Sequence, residues 1–295
     1  KFHKGLLTKS DFINEAMILH QSLFEYIDII NNSDISNIQI SNKGVLFVHK
    51  DNGIRMYCPR NEGRVVPIEV MNFGSYEKSE TIVMDALLEG LEYIIDIGAN
   101  IGWHTIRFAK RDSSAKIFSF EPMPISYSFL KKNIAENLVI ERVTCYNYGL
   151  SDKNANVKLF ISPGQGTNAS IKNVSASKKS KLVDCQMITL DEWVLNHQIY
   201  PDFIKCDVEG AELLVFRGGK QTLSKSKPVI FTELLRKWSK PFGYHPNDMI
   251  NYFANIGYIC FAIGSSSVRK IKSVNDDTIE TNYVFLNTKK HNKQI

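Results

Sequence analysis

The stretch Tyr93-Ile-Ile-Asp-Ile-Gly-Ala-Asn-Ile-Gly-Trp-His-Thr105, followed by Phe118-Ser-Phe-Glu-Pro122, decides the fold of this chain. An apolar segment runs into a turn that contains glycines, a helical segment follows, and a second apolar segment ends on an acid. This order predicts a βαβ unit that holds a nucleoside. Glycines let the backbone turn tightly beside a ligand, and the acid can accept hydrogen bonds from both ribose hydroxyls.

The positions of the glycines indicate which nucleoside is bound. A dinucleotide fingerprint that starts at Gly98 needs glycines at positions 100 and 103, where this chain has Asn100 and Trp103. The spacing Asp96-x-Gly-x-x-x-Gly102 suits S-adenosylmethionine better than a dinucleotide. S-adenosylmethionine has a cationic end, and an acid with small turn residues favours a cation over an anion such as pyrophosphate. The competing interpretation is an ordinary α/β turn with an acid after the second strand.

Strands and helices alternate along most of the chain. Segments that predict strands lie at 93–97, 116–120, 142–147, 157–161, 182–188, 202–206, 229–232, 258–263 and 282–286. The strands at 157–161 and 182–188 enclose a polar segment that is predicted to be a loop. Alternation of this kind predicts an α/β fold with a doubly wound, mainly parallel sheet.

The N-terminal residues have a different pattern and predict an extension over residues 1–75. Residues 1–40 are predicted to be helical, with Ser10-Asp11 as a helix cap. Asn52-Gly53 between alternating residues predicts a β-hairpin. The cofactor-binding domain is then expected at 76–295.

Composition and charge exclude several classes of protein. The chain has 295 residues and a formal net charge of +5, and its lysine runs are typical of solvated surface rather than of a nucleic-acid interface. A run of about 18 apolar residues, which a membrane span requires, is absent. Five cysteines without a CxxC pair predict a reducing compartment and no cysteine zinc site. With no leader visible, we expect a cytoplasmic protein.

Acidic residues follow several of the predicted strands. In doubly wound sheets, ligands bind beyond the carboxyl ends of the strands. That rule selects Asp96, Glu121, Asn147, Asp207 and Glu233. Burying carboxylates together is costly unless a cation, a metal ion or a transferred proton compensates them, so this rim is the predicted active site.

Several segments resemble the FkbM family of S-adenosylmethionine-dependent methyltransferases. They are Tyr76-Glu77, Asp96-Ile-Gly-Ala-Asn-Ile-Gly102, Phe120-Glu-Pro122, Tyr148-Gly-Leu-Ser-Asp152, Ile204-Lys-Cys-Asp-Val-Glu-Gly-Ala-Glu212 and Pro228-Val-Ile-Phe-Thr-Glu233. The resemblance covers roughly residues 40–290. It implies a class I, Rossmann-like methyltransferase fold with a seven-stranded sheet. It also implies methyl transfer to a hydroxyl, often on a sugar, a glycan or a glycosylated natural product.

The resemblance also implies the cofactor site. The implied residues are Glu77, Asp96, Gly98, Ala99, Asn100, Gly102, Glu121, Pro122, Tyr148 and Gly149. The glycine-bearing turn would surround the methionine end, and Glu121 would hold the ribose diol. Tyr148 and Gly149 would border the adenine. This sequence departs from the family pattern at Gly149, where Ala is common, and at Cys206, where an apolar residue is common.

The acceptor hydroxyl must lose its proton, and a sugar hydroxyl is a weak acid, so a base or a divalent cation is needed. The catalytic candidates are Asp207, Glu209, Glu233 and His245. In one version Asp207 or Glu209 is the general base, assisted by His245 or His104. In a second version Asp207, Glu209 and Glu233 hold Mg²⁺ or Mn²⁺. In a third the acids only anchor helix N-termini.

Two other functional classes stay open at the level of sequence. One is a nicotinamide-dependent oxidoreductase on the same kind of sheet, and the other is a non-catalytic module with a degenerate fold. Nucleic-acid methylation ranks last, because the amino-methylating Asn/Asp-Pro-Pro-Tyr/Phe tetrapeptide is absent. The expected partner is a hydroxyl-bearing glycan or small molecule. The apolar N-terminal helix allows a homo-oligomer or a biosynthetic assembly partner.

Overall fold

The computed structural model describes residues 2–60, 62–111, 114–162, 165–170 and 181–294. The helices are Lys9–Asn31 (α1), Val66–Phe73 (α2), Lys78–Leu87 (α3), Trp103–Arg111 (α4), Pro124–Glu136 (α5), Leu190–His197 (α6), Glu212–Arg217 (α7), Lys220–Ser226 (α8), Arg236–Ser239 (α9) and Pro246–Asn255 (α10). None of the helices in this described part of the chain combines the length and the apolar character of a membrane span.

The strands form three sheets. They are Ile35–Ser41 (β1), Gly44–His49 (β2), Arg55–Tyr57 (β3), Tyr93–Ile97 (β4), Lys116–Phe120 (β5), Val143–Tyr146 (β6), Gly149–Ser151 (β7), Ala155–Ser162 (β8), Gln165–Ser170 (β9), Lys181–Thr189 (β10), Phe203–Cys206 (β11), Val229–Glu233 (β12), Tyr258–Ile263 (β13), Val268–Ile271 (β14) and Asn282–Asn287 (β15).

The central sheet has the strand order β14-β13-β15-β12-β11-β4-β5-β6. The strands from β12 to β6 are parallel, and β13, β14 and β15 pair antiparallel. The α/β, doubly wound fold is therefore confirmed. The sheet has eight strands where the sequence predicts seven, because β14 extends one edge. Its exposed Val-Arg-Lys sequence lacks the apolar run of a buried strand.

The hydrophobic core has two parts, one on each face of the sheet. Successive residues of β4 alternate between them, so that Ile95 packs with α6, α7, α8 and α10, whereas Ile94 packs with α3, α4 and α5. A parallel sheet that is covered on both faces reads as a continuous apolar run. For this reason residues 93–97 predict a strand even though polar and apolar residues do not alternate along them.

A smaller sheet has the order β7-β10-β8-β9. It contains the strands predicted at 157–161 and 182–188. Part of the segment between them, which is predicted as a loop, forms β9 and pairs with β8. Residues 163–164 and 171–180 of that segment lie outside the described residues.

The N-terminal extension consists of α1, the antiparallel sheet β1-β2-β3 and α2. Its hairpin is confirmed, since β2 pairs with β3 across Asn52-Gly53. The prediction of helix up to residue 40 is wrong, because α1 ends at Asn31 and the chain enters β1 at Ile35. The side chain of Asn133 in α5 accepts from Tyr57 N–H at 2.7 Å and donates to its carbonyl at 3.1 Å. These bonds tie the extension to the central unit, and a boundary at 75/76 stays a prediction.

Candidate active site

A cavity of about 350 Å³ opens beyond the carboxyl ends of the parallel strands β4, β5, β11 and β12. This volume lies within the range of ligand pockets, about 300–1,000 Å³. Its walls include Arg64, Glu69, Tyr76, Glu77, Gly98, Ala99, Asn100, Trp103, His104, Glu121, Pro122, Met123, Gly149, Met187, Lys205, Asp207, Glu209, Glu233, Lys237 and Trp238. The strand-end rule and this cavity therefore indicate the same edge of the sheet.

The turn after β4 is held against the end of β5. The N–H groups of Gly98 and Ala99 both donate to the carbonyl of Phe120, at 3.0 and 3.1 Å. The N–H of Asn100 donates to Oε2 of Glu121 at 2.9 Å. Asn100 has φ +50°, a left-handed conformation that non-glycine residues adopt rarely and that clusters at functional sites. The turn is thus a fixed platform at one end of the cavity.

Gly98 also sets the distance between the two turns that face each other across the site. It has φ +77°, and a Cβ at this position would lie 1.9 Å from the carbonyl oxygen of Asp207. No side chain fits into that space. The first turn and the acidic turn after β11 therefore approach each other only because residue 98 is glycine.

We expect Gly98→Ala to lower the free energy of unfolding by about 2–4 kcal/mol, through backbone strain and the forced separation of the two turns. Urea unfolding measures the difference. Gly63→Ala is the control, because nothing lies within 4 Å of a Cβ at Gly63, so its effect should stay within about 0.5 kcal/mol. Equal stability of the two variants would contradict the close approach described above.

Glu121 lies at the end of β5, 4% exposed, with its carboxylate turned toward the first turn. Its oxygens accept from the N–H groups of Asn100 and Met123, at 2.9 and 2.8 Å. Burial raises the pKa of Glu121 to about 7. Each carboxylate oxygen has a further lone pair, so the group can accept two more hydrogen bonds. Hydroxyl donors from a ligand would satisfy it and favour its ionised form.

Two more polar atoms of the same turn are buried without a hydrogen-bond partner among the described residues, Oδ1 of Asp96 and Oδ1 of Asn100. Buried polar atoms of this kind are rare and call for an explanation. Asp96 lies under the turn, where its other oxygen accepts from the Thr105 hydroxyl at 2.6 Å. Oδ1 of Asp96 faces the ammonium group of Lys205, so Oδ1 of Asn100, which lines the cavity, is the acceptor left for a ligand with N–H or O–H donors.

Lys205 is a buried cation at this site that the sequence analysis missed. Its Nζ lies 3.6 Å from Oδ1 of Asp96, 3.5 Å from Oδ2 of Asp207 and 3.3 Å from the carbonyl of Gly98. Burial alone lowers the pKa of Lys205, but the neighbouring carboxylates outweigh it and raise the pKa above its ordinary value. Lys205 therefore stays charged and joins the two turns electrostatically.

The acidic turn after β11 carries Asp207 and Glu209, and Glu233 ends the neighbouring strand β12. Burial, followed by repulsion from Asp207, raises the pKa of both Glu209 and Glu233. Glu209 adopts φ +55°, another left-handed residue in the wall of the cavity. Asp207 is the acid of this group that pairs with the buried Lys205.

Glu212 explains how the acidic turn keeps its shape. Its Oε1 accepts from the N–H groups of Val208 and Gly210, at 3.1 and 3.0 Å, and its Oε2 accepts from the Tyr244 hydroxyl at 3.1 Å. Glu212 thus binds the backbone of the turn and does not line the cavity. The acidic segment 207–212 therefore has two acids that face the cavity, Asp207 and Glu209. Its third acid, Glu212, supports the turn.

The wall on the N-terminal side comes from Tyr76, Glu77 and His104. Nε2 of His104 lies 3.2 Å from Oε2 of Glu77. Burial tends to raise the pKa of Glu77, but the hydrogen bond and charge of His104 outweigh it and lower the pKa. Glu77 has φ +44°, so this wall also contains a left-handed residue. His104 therefore supports this wall of the cavity by holding Glu77 in place.

Most of the predicted site residues meet in this cavity, but Asp96, Gly102, Tyr148 and His245 do not line it. Gly102 precedes α4 and packs against Leu130. Tyr148 packs its ring against Phe120 in the core, with ring centroids 5.8 Å apart. His245 is an exposed N-cap of α10, where its side chain accepts from Asn247 N–H. The structure thus gives His245 a capping role.

Several lining residues come from segments that the sequence analysis did not connect with the site, among them Arg64 and Glu69 from the extension and Lys237 and Trp238 from α9. Gly210 shows how the acidic turn meets α9. It has φ +97°, and a Cβ there would lie 2.2 Å from the carbonyl of Trp238. The acidic turn therefore packs directly against α9, which brings Lys237 and Trp238 to the cavity.

The strand order, with antiparallel β15 between β12 and β13, and the cavity at the strand ends define a class I methyltransferase fold. The chain belongs to the methyltransferase FkbM domain family, whose profile matches residues 96–260.

Individual relatives are similar over about half of this chain. The 2-O-methyltransferase NoeI of Sinorhizobium fredii is 31% identical over 155 residues, which cover 48% of this chain and 62% of NoeI. The hexuronic acid methyltransferase AglP of Haloferax volcanii is 30% identical over 159 residues, covering 52% and 62%. The aligned region thus spans less than two thirds of these relatives. The crystal structure of methyltransferase FkbM from Methylobacillus flagellatus is 19% identical with a TM-score of 0.43, covering 66% of this chain and 43% of that one.

Proposed function

We propose that this chain transfers the methyl group of S-adenosylmethionine to a hydroxyl of a sugar, a glycan or a glycosylated natural product. The observation that carries the proposal is one cavity with a nucleoside-type end at Glu121 and, on the facing turn, the carboxylate of Asp207 paired with Lys205. Two similar proteins are named as a 2-O-methyltransferase and a hexuronic acid methyltransferase, which supports a hydroxyl acceptor on a sugar. Cytoplasmic location and self-association stay predictions.

The residues present fit S-adenosylmethionine. Glu121 has lone pairs left for the ribose diol, and Gly149 and Pro122 line the wall beside it. The free oxygen of Asn100 suits the donors of the amino-acid end. When bound, S-adenosylmethionine supplies a methyl group that its sulfonium already activates. The protein then has to hold the acceptor in line and take up one proton.

We assign the proton to Asp207. The acceptor hydroxyl loses its proton to this carboxylate as its oxygen forms the new bond to carbon. Lys205 pairs with Asp207 and holds it at the cavity, while Glu209 and Glu233, with raised pKa values, serve as hydrogen-bond partners for the other hydroxyls of the acceptor. Glu209 is the alternative base, since it lies on the same turn.

A metal ion held by Asp207, Glu209 and Glu233 is less well supported. Across the described residues, no group of three potential ligands that includes these acids brings its ligand atoms within 4.8 Å of one another. We therefore expect methyl transfer to survive exhaustive dialysis against EDTA with less than about a twofold change. Activity that vanishes and returns with Mg²⁺ or Mn²⁺ would establish the metal version instead.

The pKa of Glu121 predicts how cofactor binding depends on pH. Ribose hydroxyls donate hydrogen bonds to the ionised carboxylate, so the ligand prefers that form. As the pH falls below about 7, the free protein becomes protonated at Glu121, and the binding-competent fraction shrinks. We expect the affinity for S-adenosylhomocysteine to fall by up to about tenfold per pH unit below 7. Glu121→Gln should flatten this dependence. A slope that persists in Glu121→Gln would assign the titration to another group.

The first test of the proposal is calorimetric titration of the purified chain with S-adenosylhomocysteine, with NAD as the control ligand. We expect binding of the first and none of the second. Transfer of a labelled methyl group to a panel of glycans, compared with the same glycans oxidised at their diols, then tests the acceptor. Binding of NAD alone would revive the oxidoreductase, and binding of neither would favour the non-catalytic module.

A further inference from the structure

A second cavity, of about 430 Å³, lies between the N-terminal extension and helices α3 and α4. Tyr76 and Trp103 line both this cavity and the active-site cavity, so the two are neighbours. The proposed methyl transfer uses nothing on this side. The second cavity nevertheless contains a group of potential metal ligands, contributed by three separate positions of the extension.

These ligands are Asp34, His49 and Asp51. Asp34 precedes β1, His49 ends β2, and Asp51 lies in the hairpin turn. The backbone brings them together, because Lys50 N–H donates to the carbonyl of Asp34 at 2.7 Å. One ligand atom from each residue lies within 4.8 Å of the others. About 1 Å of side-chain movement would bring these atoms to the spacing of a tetrahedral zinc site.

His49 is the observation that distinguishes this group from a chance cluster of surface acids. It is 8% exposed, it lines the cavity, and its Nδ1 is buried without a hydrogen-bond partner among the described residues. A buried imidazole normally has a partner for each ring nitrogen.

We propose that Asp34, His49 and Asp51 form a binding site for a divalent transition-metal ion of the zinc type, separate from the active site. One imidazole nitrogen and two carboxylate oxygens are ligands that zinc accepts, and a nitrogen ligand disfavours Mg²⁺ and Ca²⁺, which prefer oxygen. The remaining coordination position is open to water. Two carboxylates neutralise the charge of the ion.

The cations around the cavity do not prevent binding. Lys78 pairs with Asp34 at 3.0 Å, but its side chain is 61% exposed and can leave for solvent, where a surface ion pair contributes little. Arg107 is buried and already paired with Asp85. Lys110 donates to the carbonyl of Gly53 at 3.1 Å. The ion therefore displaces one weak ion pair and leaves the others intact.

Zinc binding at this site would stabilise the extension and would take no part in the proposed methyl transfer. The ion would join the connection between α1 and β1 to the β2–β3 hairpin. The ring of His49 packs against Trp103, with centroids 5.1 Å apart, and Trp103 lines the active-site cavity as well. Zinc should therefore fix the extension next to helix α4 and raise the melting temperature of the chain.

The test is the zinc content of the full chain, without a polyhistidine tag, after removal of metal by chelation and dialysis against Zn²⁺. Mass spectrometry of the metal should show that His49→Ala and Asp51→Asn each hold one equivalent less than the native chain, and their melting temperatures should no longer rise with Zn²⁺. His20→Ala and Asp276→Asn are matched controls, because both residues are exposed and neither lines the cavity, and both variants should retain the full zinc content.

The comparison with the native chain removes zinc bound elsewhere, such as at cysteines. Asp51 is exposed, so Asp51→Asn should fold normally even if His49→Ala does not. A native chain that takes up no zinc would overturn the proposal. Retention of the full zinc content by Asp51→Asn would also overturn it, whatever His49→Ala shows. Neither result depends on S-adenosylmethionine, so the site and the proposed methyl transfer succeed or fail separately.

Discussion

Replacing Asp207 with Asn is expected to lower the rate of methyl transfer by about 10²–10⁴-fold, the usual contribution of a general base. Binding of S-adenosylhomocysteine should stay within about threefold of the native value, since an amide of the same size preserves the turn. The physical reason is that Asn cannot take up the proton of the acceptor hydroxyl. Single-turnover transfer and calorimetry on the same preparation measure the two quantities.

The surroundings of Asp207 make this separation of effects possible. Its side chain is 36% exposed toward the cavity, whereas its partner Lys205 is buried and keeps contacts with Asp96 and the carbonyl of Gly98. Loss of the Asp207 charge therefore leaves Lys205 compensated by Asp96. The first turn, which is the proposed cofactor platform, keeps its hydrogen bonds to β5.

Asp184→Asn is the control for this experiment, because Asp184 is exposed and pairs only with exposed Lys158. Glu209→Gln tests the alternative base. If Asp207→Asn retains near-native turnover while Glu209→Gln loses it, the proton belongs to Glu209. In that case the pH profile of the native rate should show a group with a raised pKa, as burial and Asp207 produce for Glu209.

The central sheet and the location of the site could be predicted because both depend on short-range patterns. A strand that is buried on both faces is a continuous apolar run, and the residue that follows it lies at the ligand edge. Of the five residues that this rule selects, Glu121, Asp207 and Glu233 line the cavity, whereas Asp96 and Asn147 do not. The glycines of the first turn follow from local backbone needs, as the positive φ of Gly98 shows.

Contacts between distant segments could not be predicted in this way. Lys205 lies inside an apolar strand, and its partner Asp96 is 109 positions away in sequence, so only the parallel pairing of β11 with β4 brings them together. The positions of Arg64, Trp238 and the Asp34–His49 pair also depend on contacts made in the folded chain, so local sequence patterns do not predict them. His245 shows the opposite error. A histidine before a proline in a strand-end loop looked functional, but the helix start at Pro246 uses it as a cap.

The second large effect is expected for Glu121→Ala, which should weaken the binding of S-adenosylhomocysteine by ~3–6 kcal/mol at most, the value of two charge-assisted hydrogen bonds. This corresponds to a loss of about 10²–10⁴-fold in affinity. The reason is twofold. The ribose diol loses its acceptor, and the N–H groups of Asn100 and Met123 lose the oxygens that fix the first turn. Isothermal calorimetry at pH 8, where Glu121 is ionised, measures the full effect.

Glu121→Gln separates these two causes. The amide keeps one carbonyl oxygen and the size of the side chain, so it preserves part of the turn but accepts fewer and weaker hydrogen bonds from the diol. We expect its affinity to lie between the native and Ala values, and its thermal stability to match or exceed the native, because a buried carboxylate is costly without its ligand. Unchanged affinity in both variants would remove Glu121 from the cofactor site. Unchanged affinity in Gln alone would mean that Glu121 shapes the turn and does not hold the ribose through its charge.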